Sequence, residues 1–409
     1  MNMIEGHMAI EAPENVPVWD VDPYDHDILR DPFAYYSELR SRGPFVYIPK
    51  YAILATGRYP EAREVFTDWE RFVSSRGVGL QDFKLEEPWR PPSVVLEVDP
   101  PYHTKTRNVI ARALSPKAIR ALKDSFQQAA DRLIDELLIK GTSEMVVELA
   151  EAYTTTVFPA AVGLSETDSR RLVDYGAMVF NALGPDNELR RKAMAQGPDI
   201  VPWITERCKR ENLSADGIGA TIYAAADEDE ITLEEAGMLV RSLLSAGVDT
   251  TVTGIGSMIW CFATYPEQFD ILKADPKLAR PAFEEILRFT SPVHSFFRTV
   301  NVDTEVSGVK IVDGTKIMCS LGAANRDEQQ FPEPDKFDIK RMPAGHLAMG
   351  QGIHGCVGQV IARAEVEAVS TALANKVGGI EFAGEAIWRP NHSIRALDTL
   401  PVTFHGKQS

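Results

Sequence analysis

Cysteine is scarce in this chain of 409 residues, which contains four: Cys208, Cys261, Cys319 and Cys356. No two of them stand at the CxxC spacing of redox and zinc motifs. Wide and irregular spacing in a long chain does not indicate a disulfide framework. A reducing cytoplasm is therefore the expected compartment.

Positive charge is also in deficit, because 43 Lys and Arg face 59 Asp and Glu and the formal net charge is −16. Nucleic acids and anionic membranes need basic surfaces, so neither is expected as a partner. Residues 1–20 carry acidic side chains and no apolar run, so no signal peptide is expected there. We expect this stretch to be a flexible extension, and its string IEGHM is typical of a cloning remnant.

The chain also lacks repeats and any alternation of strand and helix patterns, which excludes a doubly wound fold. Strand patterns cover 45–56, 303–321 and 392–405, and nearly everything between 104 and 292 has a helical pattern. The string Val312-Asp313-Gly314 predicts a hairpin turn. The expected fold is mainly α with small β-sheets, in a single domain over 1–409.

One helix is predicted to be unusually long. It opens with a capping box at Thr232 and Glu235 and stops before Pro266. Its roughly 32 residues, at about 1.5 Å each, would span about 48 Å. The pattern is apolar almost all round, which predicts burial, while the charged Arg241 and Asp249 argue against a membrane span.

The middle of that helix, AGVDTT, contains Gly247, Asp249, Thr250 and Thr251, which are weak helix formers. Hydroxyl and carboxylate side chains there compete for backbone hydrogen bonds. The pattern fits either a tolerated weak spot or a local opening of the helix that faces a ligand.

The stretch HLAMGQGIHGCVGQ (346–359, the Cys loop) places Cys356 among glycines directly before a helical pattern. Its GQGIHG matches GxGxxG, but the preceding RMPAGHLAM is not a strand pattern, as a dinucleotide site requires. His354 and Cys356 could begin a zinc site, yet no second Cys/His pair follows. A third interpretation is a thiolate bound to haem iron. Glycines would then let the backbone approach the porphyrin and aim N–H groups at the sulfur.

Motifs in a fixed order favour the third interpretation. The Cys loop reads MGQGIHGCVG against F-G-x-G-x-H-x-C-x-G, with Met349 in place of phenylalanine. AGVDT, EILR, FPEPDKFDIKR and HTKTR occur at 246–250, 285–288, 331–341 and 103–107. Over residues 20 to 405 the chain resembles the cytochrome P450 family, the haem-thiolate monooxygenases.

The resemblance implies the cytochrome P450 fold, with haem b (iron protoporphyrin IX) between the long central helix and the Cys loop. Cys356 would ligate the iron, and Asp249 and Thr250 would deliver protons for O2 activation. The other haem contacts that it implies are His103, Arg107, Arg298, His354, Ala246 and Gly350. Glu285, Arg288 and Arg341 would form a structural network.

Electrons must come from elsewhere, because no flavin or nicotinamide domain is visible. The resemblance implies an iron–sulfur ferredoxin and an NAD(P)H-dependent ferredoxin reductase as partners. Arg107 and Arg363 are candidates for a basic docking patch near the Cys loop.

Within the family, the strings at 74–84, 87–101, 179–190 and 239–251 resemble bacterial monooxygenases of para-substituted benzoates such as 4-methoxybenzoate. A small aromatic carboxylate is then the implied substrate, to be O-demethylated or hydroxylated. The resemblance implies carboxylate contacts from Arg90, Ser93, Arg241 and Ser242, and ring contacts from Phe180, Leu183, Val293, Phe296 and Ala246. Arg241 and Ser242 precede Thr250 by nine and eight residues, about 12–14 Å along a helix, which suits one benzene ring.

Two residues depart from that group. Leu183 stands where the related enzymes carry a second phenylalanine, and His294 also differs. A 3,4-disubstituted benzoate, a cinnamate or another small hydrophobic substrate therefore stays open. A non-enzymatic haem sensor and a nicotinamide dehydrogenase are the alternatives from other classes.

Overall fold

The structure is a computed structural model that describes residues 3–4, 7–8, 10–164 and 168–407. Helices make up most of it. They are α1 His26–Arg30, α2 Phe33–Arg42, α3 Tyr59–Thr67, α4 Tyr102–Ala113, α5 Pro116–Lys140, α6 Ala152–Val162, α7 Ser169–Asn181, α8 Glu188–Met194, α9 Gly197–Arg207, α10 Ile218–Asp227, α11 Leu233–Thr264, α12 Pro266–Ala274, α13 Ala279–Thr290, α14 Leu321–Ala324 and α15 Gln359–Lys376.

The strands are short. They are β1 Met3–Ile4, β2 His7–Met8, β3 Val46–Ile48, β4 Ile53–Thr56, β5 Phe72–Val73, β6 Thr142–Glu144, β7 Ser295–Val300, β8 Thr304–Val306, β9 Val309–Ile311, β10 Lys316–Ser320, β11 Val377–Phe382, β12 Ile387–Arg389, β13 Ala396–Thr399 and β14 Pro401–Gly406. The largest sheet has the order β3-β4-β10-β7-β5, and a second has the order β11-β14-β6. The expectation of a mainly α protein with small sheets is confirmed.

A turn forms at Val312-Asp313-Gly314 as expected, with Thr315 N donating to Val312 O at 3.3 Å, but the strands on either side of it do not pair with each other, so it does not close a hairpin. Strand β9 pairs with β8, and the turn between them is Ser307-Gly308, whose residues have φ values of 50° and 79°. Positive φ at both central residues is the geometry of the tightest hairpin turns. The 312–314 segment instead leads into β10, which pairs with β4 and β7.

Helix α11 is the long helix that the capping box predicted. Thr232 Oγ1 accepts from Glu235 N at 3.1 Å, and Glu235 Oε2 accepts from Thr232 N at 2.7 Å. Its 32 residues pack against α6, α7, α10, α13 and α15. This burial explains why it is apolar on every side. No helix in the described ranges is long and apolar enough to span a membrane.

Part of the expected N-terminal extension packs on the fold. Val16 is buried, Val18 forms a bridge with Tyr47, and the Trp19 ring stacks on Tyr35 with centroids 5.2 Å apart. The expectation of a flexible 1–20 is therefore corrected for residues 16–19. Residues 1, 2, 5, 6 and 9 of that stretch lie outside the described residues.

Candidate active site

The Cys loop folds tightly ahead of α15. Gly350 and Gly352 have φ values of 65° and 69°, and a Cβ on Gly352 would collide with the Phe66 carbonyl oxygen of α3. Cys356 N donates to Met349 O at 2.7 Å. The GxGxxG string follows a helical turn, Leu347–Met349, and not a strand, so it lacks the context of a dinucleotide site.

Opposing effects act on the Cys356 sulfur. Burial raises the pKa of the thiol, while the N–H groups of Gly358 and Gln359 and the charges of Arg107 and Arg363 lower it. The two N–H groups belong to the start of α15, where the helix dipole also favours an anion. Burial is the largest of these effects, so the pKa of the free thiol stays above its ordinary value, and the N–H groups and arginines are what would stabilise the sulfur as an anion.

A cavity of about 270 Å³ separates Cys356 from α11. It brings together residues that are far apart in the sequence. The sequence-predicted residues that line it are Arg90, Ser93, Arg107, Phe180, Leu183, Arg241, Ser242, Ala246, Thr250, Val293, Phe296, Arg298, Gly350, His354 and Cys356. Asp249, His103 and the Glu285 network lie outside its lining.

Buried nitrogens cluster near the Cys loop. The rings of His103 and His354 are 4.3 Å apart, and none of their four nitrogens has a hydrogen-bond partner within the described part of the chain. His354 Nε2 is 3.8 Å from Asp99 Oδ1, beyond hydrogen-bond distance. Arg298 is 4% exposed and donates only to Phe297 O among those same residues. Buried donors without acceptors are what two carboxylates of a ligand would satisfy.

Arg363 and Arg107, the two candidates for a basic docking patch, both make contacts within the fold. The Nε and Nη2 of Arg363 bind Glu284 at 2.5 and 3.1 Å, so its charge is balanced within the fold. Arg107 Nη2 donates to Gly355 O at 2.5 Å, which ties α4 to the Cys loop.

The middle of α11 does not open. The helix runs without interruption through Gly247, and a Cβ at this position would collide with the Phe158 ring of α6. Thr250 Oγ1 donates to Ala246 O at 2.6 Å. Of the two alternatives that the sequence left open, the local opening is not present, and the glycine accommodates the close approach of Phe158.

We expect Gly247→Ala to lower the free energy of unfolding by about 1–2 kcal/mol, because the clash outweighs the gain in helix propensity. Gly254→Ala, in the same helix, is the matched control. Its Cβ would lie 3.4 Å from Phe283, so the change should be neutral or stabilising. Urea unfolding of both haem-loaded variants measures the difference, and equal stabilities would contradict the packing argument.

Asp249 faces away from the cavity. It is fully buried, its Oδ1 accepts from Arg389 Nη2 at 2.8 Å, and Oδ2 has no partner within the described residues. Burial raises its pKa, and Arg389 acts against that shift. Arg389 on β12 has a side chain 26% exposed, so it links Asp249 to the surface. No sequence pattern pointed to this partner, which lies 140 residues away.

The three residues of the expected structural network meet as the sequence predicts. Arg288 Nε and Nη2 bind the two oxygens of Glu285 at 2.7 and 2.9 Å, and Arg341 Nε binds Glu285 Oε1 at 3.1 Å. Glu285 and Arg288 have no exposed side-chain surface. Arg341 also donates to Glu333 O at 2.9 Å, which fixes the segment that precedes the Cys loop.

One acid of the cavity escaped the sequence analysis. Glu365 on α15 is fully buried and lines the cavity, where its Oε2 accepts from Thr251 Oγ1 at 3.5 Å. Burial raises its pKa to about 8, so the carboxyl group is neutral at pH 7. A carboxyl group within an apolar helix was its only sequence signal.

The end of the cavity near α7 and α10 carries charge. Arg90, which the resemblance implied as a carboxylate contact, lines the cavity, and its Nη1 binds Glu97 Oε2 at 3.0 Å. Arg241 makes no hydrogen bond or ion pair with any described residue. Ser93 Oγ and Ser242 Oγ are 3.4 Å apart beside it. Arg241 is therefore an unbalanced cation in the lining of an otherwise largely apolar cavity.

Hydrogen bonds to the loop before β13 fix the apolar wall of the cavity, which is the part of its lining around Phe180 and Phe296. The loop holds the end of α7, because His392 Nδ1 donates to Asn181 O at 2.7 Å and Ser393 Oγ donates to Phe180 O at 3.2 Å. His294 N donates to Ser393 O at 2.9 Å. These three hydrogen bonds, here called the clamp, position Phe180 and its neighbours, and the sequence analysis did not predict them.

Acid should weaken the clamp. Burial lowers the pKa values of His294 and His392 from 6.5 to about 4. Between these values the unfolded chain binds protons that the folded chain does not, so stability falls as pH drops from 6.5 to 4. The free energy of unfolding changes by at most about 1.4 kcal/mol per pH unit for each histidine.

His392→Asn should reduce the change in the free energy of unfolding by at most about 1.4 kcal/mol per pH unit, since the asparagine amide can still donate to Asn181 O but does not titrate. Urea unfolding of the haem-loaded protein at pH 7.0 and at a pH between 6.5 and 4 measures this change in the free energy of unfolding. The exposed His26, replaced in the same way, is the matched control. An unchanged slope in His392→Asn would contradict the assignment.

Comparisons with known proteins agree with this geometry. The family described as Cytochrome P450 matches residues 275–375. Cytochrome p450 CYP199A2 of Rhodopseudomonas palustris is 48% identical over 388 residues, which cover 95% of this chain and 94% of that protein. Cytochrome P450 monooxygenase PikC of Streptomyces venezuelae is 31% identical, with coverage of 95% and 94%.

Solved structures show the same fold. CYP109Q5 from Chondromyces apiculatus matches with a TM-score of 0.79 and 29% identity, over 95% of this chain and 99% of that one. P450BioI, in complex with an acyl carrier protein, matches with a TM-score of 0.83 and 26% identity, over 93% and 99%. The chain belongs to the cytochrome P450 family.

It is accordingly an oxidoreductase, a cytochrome P450 monooxygenase, and its cofactor is haem b. The residues present fit that group. The cavity offers a cysteine sulfur under backbone N–H groups on one side. Nearby it offers the unpartnered ring nitrogens of His354 and the buried guanidinium of Arg298 for two propionates.

Proposed function

We propose that this monooxygenase O-demethylates or hydroxylates para-substituted aromatic carboxylic acids such as 4-methoxybenzoate. The observation that carries the proposal is the unbalanced guanidinium of Arg241 in the lining of an apolar cavity that also contains Cys356. A half-buried cation on the wall of an apolar cavity is costly without a counter-charge, and a substrate carboxylate would remove that cost.

The chain's own residues would orient the substrate. Arg241 would bind the carboxylate through charge-assisted hydrogen bonds, and the hydroxyls of Ser93 and Ser242 would add neutral ones. Glu97 balances Arg90, which leaves a single net positive charge for a single carboxylate. Phe180 and Phe296 would hold the ring between this end and the cysteine.

Haem b, which Cys356, His103, His354, Arg107 and Arg298 would hold, would supply the oxidising chemistry with O2. The Thr250 hydroxyl donates a hydrogen bond to Ala246 O. The hydroxyl oxygen can therefore accept a hydrogen bond in the cavity. Asp249 carries protons from the Arg389 side of α11, which is the general acid role expected of a carboxyl group with a raised pKa.

For 4-methoxybenzoate the balanced reaction consumes O2, NAD(P)H and a proton. It yields 4-hydroxybenzoate, formaldehyde, water and NAD(P)+. An iron–sulfur ferredoxin and an NAD(P)H-dependent reductase would deliver the two electrons. We propose both as partners, since soluble bacterial relatives of this type use them.

A spectral titration of the haem-loaded protein tests the substrate class. We expect 4-methoxybenzoate to shift the iron spin state, and its methyl ester, which lacks the charge, to bind about 30-fold more weakly or worse. Equal binding of acid and ester would overturn the carboxylate proposal. In the reconstituted system, formaldehyde formed in step with NAD(P)H consumption identifies O-demethylation.

A second candidate within the same chemistry is a bulkier acid. Leu183 lines the cavity where the related enzymes carry phenylalanine, and its carbonyl accepts from Leu80 N at 2.8 Å, so the backbone there is fixed. The smaller side chain leaves room beside the ring. The same titration with 3,4-dimethoxybenzoate and 4-methoxycinnamate decides between the acids by relative affinity.

A further inference from the structure

A second and smaller cavity, of about 20 Å³, lies behind the apolar wall of the active site. Strand β7 separates the two, because Ser295 lines the small cavity and Phe296 lines the large one. Successive side chains of a strand point to opposite faces. In the same way Arg395 lines the small cavity, while Ile394 and Ala396 pack with Phe180.

Arg395 is a buried cation without an acceptor. It is 3% exposed, and its Nε and Nη1 have no hydrogen-bond partner within the described residues. The guanidinium lies 3.5 Å from the Trp388 ring centroid and 4.9 Å from that of Phe33. Aromatic faces stabilise the charge, but they offer nothing to the N–H groups that point outward in the guanidinium plane.

Two hydroxyl groups share this small cavity. Tyr35 and Tyr36 line it, both are buried, and neither hydroxyl has a partner within the described ranges. Burial raises the pKa of Tyr36 to about 12, so it is a neutral donor at pH 7.

No carboxylate is among the described residues that line the cavity. Another cation is close, because the guanidinium of Arg326 lies 4.2 Å from the centroid of the same Phe33 ring that Arg395 contacts. The ion-pair partner of Arg326, Asp335, has a side chain 78% exposed. Asp31 and Asp22 act electrostatically on Arg395 and Tyr35 from outside the lining, so the described lining itself holds the Arg395 cation, unused donors and no carboxylate.

We propose that the small cavity binds one monatomic anion of the chloride class, held by Arg395 and by the hydroxyls of Tyr35 and Tyr36. An anion accepts from all three groups and balances the buried charge, which a water molecule does not. The volume is about that of a single water site. A monatomic anion matches this volume better than sulfate, phosphate or a carboxylate.

The anion would act as a structural ligand of the folded state. A ligand that binds only the folded protein raises its stability by mass action. At an anion concentration about 100 times the dissociation constant, the melting temperature of a chain of this length should rise by about 3 °C.

Thermal unfolding of the haem-loaded, substrate-free protein tests this, in sodium chloride and in sodium gluconate at equal ionic strength. Gluconate is too large for the cavity. We expect chloride to raise the melting temperature of the wild type, and Tyr36→Phe and Arg395→Gln to lose most of that rise. Arg112→Gln, which removes an exposed cation paired with Glu230, is the control and should keep it.

Crystals of the same protein grown in bromide supply the second readout. We expect an anomalous peak within hydrogen-bond distance of Arg395 in the wild type, and none in Tyr36→Phe or Arg395→Gln. A water molecule in that place would overturn the proposal. The same chloride effect in all the proteins would overturn it as well. If Arg395→Gln does not fold, Tyr36→Phe carries the test.

Discussion

Replacement of Cys356 by alanine is expected to abolish the thiolate-shifted Soret band of the reduced protein with carbon monoxide, and with it all monooxygenase activity. The sulfur lines the active-site cavity, beneath the N–H groups of Gly358 and Gln359. Removing it removes the donor that favours O–O cleavage. Because the side chain is only half-buried, the fold should survive the change.

Cys208→Ala is the matched control, since Cys208 is buried and does not line the cavity. It should keep both the band and the activity. Circular dichroism and urea unfolding check that the two variants are folded. A thiolate-shifted band retained by Cys356→Ala would refute the assignment of the ligand.

Replacement of Arg241 by alanine is expected to weaken 4-methoxybenzoate binding by about 30-fold or more. This corresponds to the roughly 2 kcal/mol or more that is lost when one member of a buried, hydrogen-bonded charge pair is removed. Arg241 has no partner within the described residues, so its loss leaves no other buried charge uncompensated. The protein itself should therefore be at least as stable as the wild type.

The methyl ester of the same acid is the control ligand. Its affinity should be nearly equal in the wild type and in Arg241→Ala, because it carries no charge for the guanidinium to balance. Spectral titrations with both ligands, followed by urea unfolding, separate binding from folding. Equal losses for acid and ester would show that Arg241 shapes the cavity and does not bind the carboxylate.

The structure distinguishes the two arginines, Arg90 and Arg241, that the resemblance implied as carboxylate contacts. The resemblance implied a substrate contact for Arg90, but the structure pairs it with Glu97 at 3.0 Å. Arg241 has no ion pair within the described residues. The path of the 87–101 loop decides which of the two arginines has an ion-pair partner. No local sequence pattern predicts that path.

Features that depend on neighbours in sequence were predictable. The capping box of Thr232 and Glu235, the length of α11 and the glycine-rich Cys loop all follow from contacts within a few residues. The same holds for the pairing of Glu285 with Arg288, one helical turn apart. Helix geometry alone brings such residues together.

The middle of α11 marks the limit of this reasoning. Gly247 is a weak helix former, and sequence alone left open whether the helix breaks there. The structure keeps it intact and sets the Phe158 ring against the glycine. The reason for the glycine lies on another helix, since close packing between elements is decided by shape and not by propensity.

The sequence by itself determined the class of chemistry: one cysteine in a loop shaped for a flat ligand, behind a long apolar helix with an acid and an alcohol at its centre. The tertiary structure decided the partners. It joined Asp249 to Arg389, His392 to Asn181 and Glu365 to Thr251 across more than 100 residues each. Local geometry is set by short-range sterics and hydrogen bonds, whereas these pairs exist only where packing brings distant segments within about 3.5 Å of each other.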